Sequence, residues 1–253
     1  MQIRVLFFRA GRAYKFLQTS RPIGKKLNTD LRSANQEIID KLQSNVTFQH
    51  AKNQPYTANP VVLVPGYRDN ASVFAHFVAF LEDQNLRAYP ISLAPNDGRV
   101  TLEVLAGQIA DFVNGTFAGD QSLDFVGYSM GGLVLRYYLQ RLGGLERTHR
   151  FVTLGTPHRG TWTAYGSNRT SVRQMRPRST FLQDLDLDAD RLGTICFRSI
   201  WTPFDLMIIP ACNSVAAVAQ HELVFAPHHR ALITSHRSLA RVANALRQPL
   251  HSS

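Results

Sequence analysis

The spacing of apolar and polar positions changes period repeatedly along this chain. Val61-Val62-Leu63-Val64 is an unbroken apolar run closed by Pro65-Gly66, the pattern of a strand buried on both faces and ended by a turn. From Ser72 to Gln84 the apolar residues Val73, Phe77, Phe80 and Leu81 recur at helical spacing, and Ala88 to Leu93 reads as the next strand. Thr101 to Phe117 returns to the helical period through Leu105, Ile109, Phe112 and Val113. Leu123-Asp124-Phe125-Val126 is again strand-like, and Leu133 to Leu142 reads as an apolar helix buried on most sides. Phe151 to Leu154 is a strand stopped at Gly155-Thr156-Pro157, whereas residues 160–190, rich in Arg and Asp, show no clear period. Strand-like Thr194 to Trp201 and Leu223-Val224-Phe225 precede a last helix from Ser238 to Leu246. Strands separated by helices demand right-handed crossovers and therefore a mostly parallel sheet flanked by helices. The expected class is α/β, with the chemistry on loops at the carboxyl edge of the strands.

Between Leu123–Val126 and Leu133–Leu142 lies Gly127-Tyr128-Ser129-Met130-Gly131, a G-x-S-x-G motif set between a strand and a helix. A serine there sits on a sharp turn that lifts Oγ above the sheet edge, and glycines two residues to either side leave room for it. Ser129 is therefore the expected nucleophile. A hydroxyl is a poor nucleophile near neutral pH, so a histidine must take its proton and a carboxylate must orient the imidazole. On such a sheet these partners follow the serine in the order acid, then histidine. Asp205 follows the strand Thr194–Trp201 across Thr202-Pro203-Phe204, at the catalytic edge. Asp184, Asp186, Asp188 and Asp190 precede that strand, at the opposite edge. They lack the turn glycine and distal glutamate of a calcium loop and read as a solvated loop or helix end.

For the base, Pro227-His228-His229 lies just past Leu223–Phe225. His229 is favoured, with His228 the fallback or a capping residue, since neighbours cannot both point into one site. His158 precedes every plausible acid and reads as structural, His221 precedes the strand, and His236 opens the last helix. An oxyanion hole needs two N–H donors. Met130, at the helix N-terminus, supplies one, and Tyr67, in the loop after the first strand where Gly66 permits close backbone approach, supplies the other.

With these residues in place, the chain resembles a bacterial α/β-hydrolase of the lipase and esterase group over residues 58–247. The likeness rests on Val-Leu-Val-Pro-Gly-Tyr at 62–67, Gly-Tyr-Ser-Met-Gly-Gly at 127–132, Leu-Gly-Thr-Pro-His-Arg-Gly at 154–160, Met-Arg-Pro-Arg-Ser-Thr-Phe-Leu at 175–182, and Asp205 with His229. Pro65 stands where that group often has histidine, and Tyr128 replaces a more frequent histidine before the nucleophile. The resemblance implies an α/β-hydrolase fold and carboxylic ester hydrolysis through an acyl-enzyme, of triacylglycerol lipase, galactolipase or phospholipase A type, with no cofactor and no metal. Trp162 and Tyr165 open a segment, 160–190, that would border the acyl pocket or form a short lid. The same acyl-enzyme would also serve a thioesterase or an acyltransferase, and a non-catalytic lipid-binding member is a further alternative.

Residues 1–57 form a basic arm and linker, leaving 58–253 as the catalytic domain. Within residues 1–30, Arg4, Arg9, Arg12, Lys15, Arg21, Lys25 and Lys26 face Asp30 alone, which places most of the chain's formal +10 there. Ile3, Leu6, Phe7, Ala10, Ala13, Tyr14 and Leu17 fall in one helical arc, the pattern of a basic amphipathic segment at an anionic lipid surface. Packing on the domain, disorder or a transit-type presequence are the competing readings, and nucleic acid is disfavoured because no reading motif accompanies the arm. No apolar run approaches the roughly 20 residues of a membrane span. Cys196 and Cys212 read as free thiols of a reducing compartment, so the expected location is cytoplasmic with peripheral membrane contact.

Overall fold

A computed structural model describes residues 58–248. The arm of residues 1–57, with its basic amphipathic segment, lies outside the described residues. Six parallel strands form one sheet: β1 (Val61–Val64), β2 (Ala88–Pro90), β3 (Leu123–Tyr128), β4 (Thr148–Leu154), β5 (Cys196–Trp201) and β6 (Gln220–Leu223). Their order is β2-β1-β3-β4-β5-β6. Chain direction across the sheet reverses beside β1, so the loops after β1 and β3 open next to each other at the carboxyl edge, where α/β sheets hold their sites.

Helices α1 (Ala75–Asp83), α2 (Leu102–Thr116), α3 (Met130–Arg141), α4 (Thr170–Gln174), α5 (Thr180–Asp186) and α6 (His236–Arg247) cover the two faces. Alternate residues of each strand divide between them. Val62, Val64, Leu123, Phe125, Phe151 and Phe197 pack with α2, α3 and α5. Val61, Leu63, Val126, Tyr128, Val152, Leu154 and Ile200 pack with α1 and α6. Burial of both faces explains why β1 reads as an unbroken apolar run rather than an alternating one. Side chains cap three of these helices: Thr101 Oγ1 accepts from the Val104 amide, Ser179 Oγ from the Leu182 amide, and Ser235 Oγ from the Ser238 amide.

Three expectations change. The last strand ends at Leu223 rather than covering Leu223–Phe225, so His221 lies inside it and Phe225 stands exposed beyond it. As the edge strand its side chains are half to fully exposed, and apolar patterning alone therefore misplaces it. Residues 160–190, where no clear period could be read, hold α4, α5, a short 3-10 turn and the start of a second. The alternating aspartates are not simply solvated: Asp186 pairs with Arg136 at 3.1 Å, Asp184 with Arg141 at 3.0 Å, and Asp188 with Arg141 at 2.8 Å and Arg191 at 3.2 Å. Arg136 and Arg141 belong to α3, so this cluster fastens the segment of α5 to the helix that begins at the serine turn.

At the opposite end of the sheet Asp124 is fully buried within β3. It accepts from Asn59 Nδ2 at 3.1 Å, from the Arg150 amide at 3.1 Å, and from Arg150 Nη1 at 3.2 Å. Burial pushes its carboxyl above the usual range, and the Asn59 and Arg150 bonds oppose that shift.

Candidate active site

Ser129 occupies the turn from β3 into α3 with φ 53° and ψ −123°. Positive φ is strained for a side chain with a Cβ, and it is the conformation that raises a serine above its strand. The turn is fixed from three sides. The Ser129 amide donates to the Leu154 carbonyl at 2.8 Å, and the Gly132 amide to the Ser129 carbonyl at 3.1 Å. A Cβ on Gly127 would come within 2.5 Å of Gly132 Cα, and one on Gly131 would strike the Val64 and Pro65 carbonyls. The glycines of the motif are thus required by helix-on-strand contact. Among the described residues the Ser129 hydroxyl makes no hydrogen bond.

Asp205 lies past the end of β5 and is 3 % exposed. One carboxylate oxygen accepts from the Met207 amide at 2.8 Å and the Ile208 amide at 2.9 Å, and the other lies 2.6 Å from His229 Nδ1. Backbone donors on Oδ1 leave Oδ2 for the imidazole, which sets Nδ1 as the donor and leaves Nε2 as an acceptor. The loops that carry Asp205 and His229 are tied together by Thr202, whose hydroxyl donates to the Ala226 carbonyl at 2.6 Å. His229 opens a 3-10 turn, His229–Ile233, beyond β6. Its ring lies against Tyr128, the neighbour of the serine, with centroids 5.0 Å apart. His228 faces elsewhere: its Nδ1 accepts from the Ala231 amide at 3.2 Å and caps that turn.

The loop after β1 closes the other side. A Cβ on Gly66 would lie 3.1 Å from Ser129 Cβ, so the backbone of 66–67 runs directly past the serine. Asn96 braces it, donating from Nδ2 to the Gly66 and Asp69 carbonyls at 2.7 Å each, while the Arg68 amide donates to the Asn96 carbonyl at 2.8 Å. The Tyr67 hydroxyl donates to the Asp97 carbonyl at 3.1 Å, and its amide has no acceptor among the described residues. Met130 is the first residue of α3, where amides lack intrahelical acceptors. The structure therefore brings Tyr67, Ser129, Met130, Asp205 and His229 to one edge of the sheet.

Sequence reasoning missed Asn96 and the role of Gly155. Gly155 ends β4 at φ 56°, and a Cβ there would come within 2.9 Å of His229 Cε1 and 3.0 Å of Nδ1. The imidazole rests on that bare backbone. His158, from the same Leu-Gly-Thr-Pro-His-Arg-Gly stretch, is buried and shares a 3.0 Å hydrogen bond with the Thr153 hydroxyl. Burial, with Arg136 and Arg159 nearby, holds its pKa well below the ordinary histidine value, so it stays neutral. Among the described residues no cluster of His, Cys, Asp or Glu is placed to hold a metal ion.

A family model described as palmitoyl protein thioesterase matches residues 60–200. The chain belongs to that family. The matched span includes Ser129 and Gly155 but ends before Asp205 and His229. No curated protein matches the chain. Solved structures with the same fold include Aspergillus fumigatus lipase B, 16 % identical with a TM-score of 0.64 over 76 % of this chain and 53 % of that one. The mature Bacillus licheniformis lipase BlEst2 is 16 % identical with a TM-score of 0.62, over 78 % of this chain and 94 % of that one. An Exiguobacterium antarcticum esterase is 14 % identical with a TM-score of 0.54, over 77 % and 94 %. The chain thus spans about half the length of the Aspergillus lipase. At these identities the likeness shows the α/β-hydrolase fold, in line with the resemblance read from the motifs, and the family match adds a thioesterase relationship that the motifs left as an alternative.

Proposed function

We propose that this chain is a serine hydrolase of carboxylic acyl esters, acting on glycerolipids at a membrane surface. The observation that carries the reading is the positive-φ Ser129 with its uncommitted hydroxyl, next in sequence to Tyr128, whose ring lies 5.0 Å from an imidazole held by Asp205 at 2.6 Å. In this mechanism Ser129 Oγ attacks the ester carbonyl while His229 Nε2 takes its proton. The amides of Met130 and Tyr67 stabilise the oxyanion. The alcohol leaves with the proton from His229, and water, deprotonated by the same imidazole, releases the carboxylic acid and frees the serine. Asp205 keeps the tautomer and stabilises the imidazolium. Peripheral lipid contact through residues 1–30 belongs to the same reading.

The family match favours a second reading, cleavage of long-chain acyl thioesters by the same residues. One experiment separates them. An oxygen ester and a thioester of the same acyl chain are offered to the wild type and to Ser129→Ala, together with a panel of defined lipids. Release from the ester at the higher kcat/KM supports the first reading, and preference for the thioester supports the second. Absence of Ser129-dependent turnover and of fluorophosphonate labelling would sink both, leaving a non-catalytic member of the fold.

A further inference from the structure

The loop that buries the Asp205 carboxylate turns its neighbours outward. Leu206 is 78 % exposed, and Phe204 and Met207 are each more than half exposed. Phe225, past the end of β6, is 65 % exposed, and its ring lies 6.3 Å from that of Phe204. On the other flank Trp162 is 60 % exposed and stacks on Tyr165 at 5.4 Å. The two flanks are joined: the Trp162 amide donates to the Ile209 carbonyl at 2.9 Å, and the Thr161 and Thr163 hydroxyls donate to the Met207 carbonyl at 3.0 and 2.7 Å. Six large apolar side chains from three loops thus form one hydrogen-bonded rim on the carboxyl edge of the sheet, around the loops that carry Asp205 and His229. A monomeric protein rarely leaves so much contiguous apolar surface in water without something to cover it.

The charge beside the rim identifies what covers it. Between Gly155 and Gln183 the chain carries Arg159, Arg169, Arg173, Arg176 and Arg178, and no aspartate or glutamate, and of these Arg169 pairs with Asp97 of another loop at 3.6 Å. Arg176 lies over the Tyr165 ring at 4.8 Å. Arg159 hydrogen-bonds the Cys212 carbonyl through its guanidinium and the Asn213 carbonyl through its amide, just past the Met207–Ile209 stretch. Aromatic and aliphatic side chains flanked by arginines suit a surface that is apolar inside and negative at its boundary. A second copy of this chain is a poor occupant, because a two-fold contact would set the same arginine-rich segment against itself.

We propose that this rim seats the Ser129 edge on an anionic lipid bilayer, with Trp162, Leu206 and Phe225 in the acyl layer and the arginines at the phosphates. The proposal rests on the acyl-ester reading of the site, and it places the reacting serine toward the bilayer rather than relying on the N-terminal arm for contact. It also explains why the aspartate loop spends its apolar residues on solvent: the turn that holds the carboxylate inward points their side chains out.

The test uses the full chain bearing Ser129→Ala, so that binding is read without hydrolysis. Trp201→Phe is added, leaving Trp162 as the sole tryptophan of the original two. The probes are phosphatidylcholine vesicles with and without phosphatidylglycerol, some carrying brominated acyl chains. The expected result is a blue shift of Trp162 emission and quenching by the brominated chains, strong on the anionic vesicles and weakened by salt. Leu206→Ser, at a site too exposed to affect folding, is expected to weaken partitioning about tenfold. Three results would overturn the proposal: no binding; binding that leaves Trp162 unquenched, which would assign the contact to another part of the chain; or a Trp162 shift that grows with protein concentration without lipid, which would assign the rim to a protein contact. Turnover of a soluble short-chain ester by the Ser129 chain is measured separately, so a failed rim and a failed hydrolase reading are told apart.

Discussion

Asp205 and His229 are joined through a single carboxylate oxygen, Oδ2 at 2.6 Å from Nδ1, while the amides of Met207 and Ile208 occupy the other. Replacing that carboxylate by an amide keeps the shape but presents the imidazole with a group that can donate, which favours the tautomer protonated on Nε2. Asp205→Asn is therefore expected to lower kcat on a soluble ester by about four orders of magnitude with little change in folding. His228→Ala, one residue from the base, is expected to leave kcat within a small factor and to cost about 1 kcal/mol of stability through the lost cap. A kcat loss falling on His228 instead would reverse the assignment of the pair.

Gly155→Ala tests the surface on which the imidazole rests. The new methyl meets His229 and also Leu232 Cδ1 at 2.8 Å, at a φ of 56° that alanine adopts only under strain. The imidazole must tilt, and under the proposed mechanism a displacement on the order of 1 Å in a reacting group costs about a hundredfold in rate. The expected signature is a large fall in kcat with KM little changed and fluorophosphonate labelling slowed in parallel. Unchanged labelling would show that the ring tolerates the methyl.

These two cases also mark how far the sequence could be read. The serine turn was legible because Gly127 and Gly131 leave a fixed imprint at fixed spacing, and the continuous apolar runs reported strands buried on both faces. That Asp205 would lie past a strand end at the same edge as His229 was legible from chain order. What could not be read was any contact between segments far apart in the chain. Gly155 faces His229 from far along the chain, and nothing in the local pattern says that its missing side chain makes room for an imidazole. The choice between His228 and His229 likewise depends on which ring caps the turn. The shift of the last strand to Gln220–Leu223 has another cause: an edge strand needs no apolar face, so its apolar neighbours drew the boundary too far along the chain.

The aspartates at 184, 186 and 188 give a prediction about metals. Their carboxylates are engaged by Arg136, Arg141 and Arg191, so calcium would have to displace arginines to bind. Chelators are expected to leave both activity and melting temperature unchanged. Asp188→Ala is expected to cost roughly 1 kcal/mol, a modest value because the pair is partly open to solvent. A fall in melting temperature on chelation that added calcium restores would contradict this account.

Arg150→Ala tests the buried charge at the far end of the sheet. Asp124 has no exposure to solvent, and Arg150 supplies both a backbone amide and a guanidinium to its carboxylate. The substitution keeps the amide but strips the countercharge, and breaking a buried pair on one side typically costs about 3 kcal/mol or more. The pH dependence follows from the direction of the carboxyl shift. Burial already raises the Asp124 pKa above its unfolded value, and loss of the guanidinium raises it further. A raised acid binds its proton more tightly when folded, so the destabilising contribution is fully present above the folded pKa and fades as pH falls through it. Urea unfolding of the variant and the wild type should therefore show the largest gap near neutral pH and a narrowing gap on acidification. A gap independent of pH would mean that the loss comes from packing of the arginine stem rather than from an unpaired carboxylate.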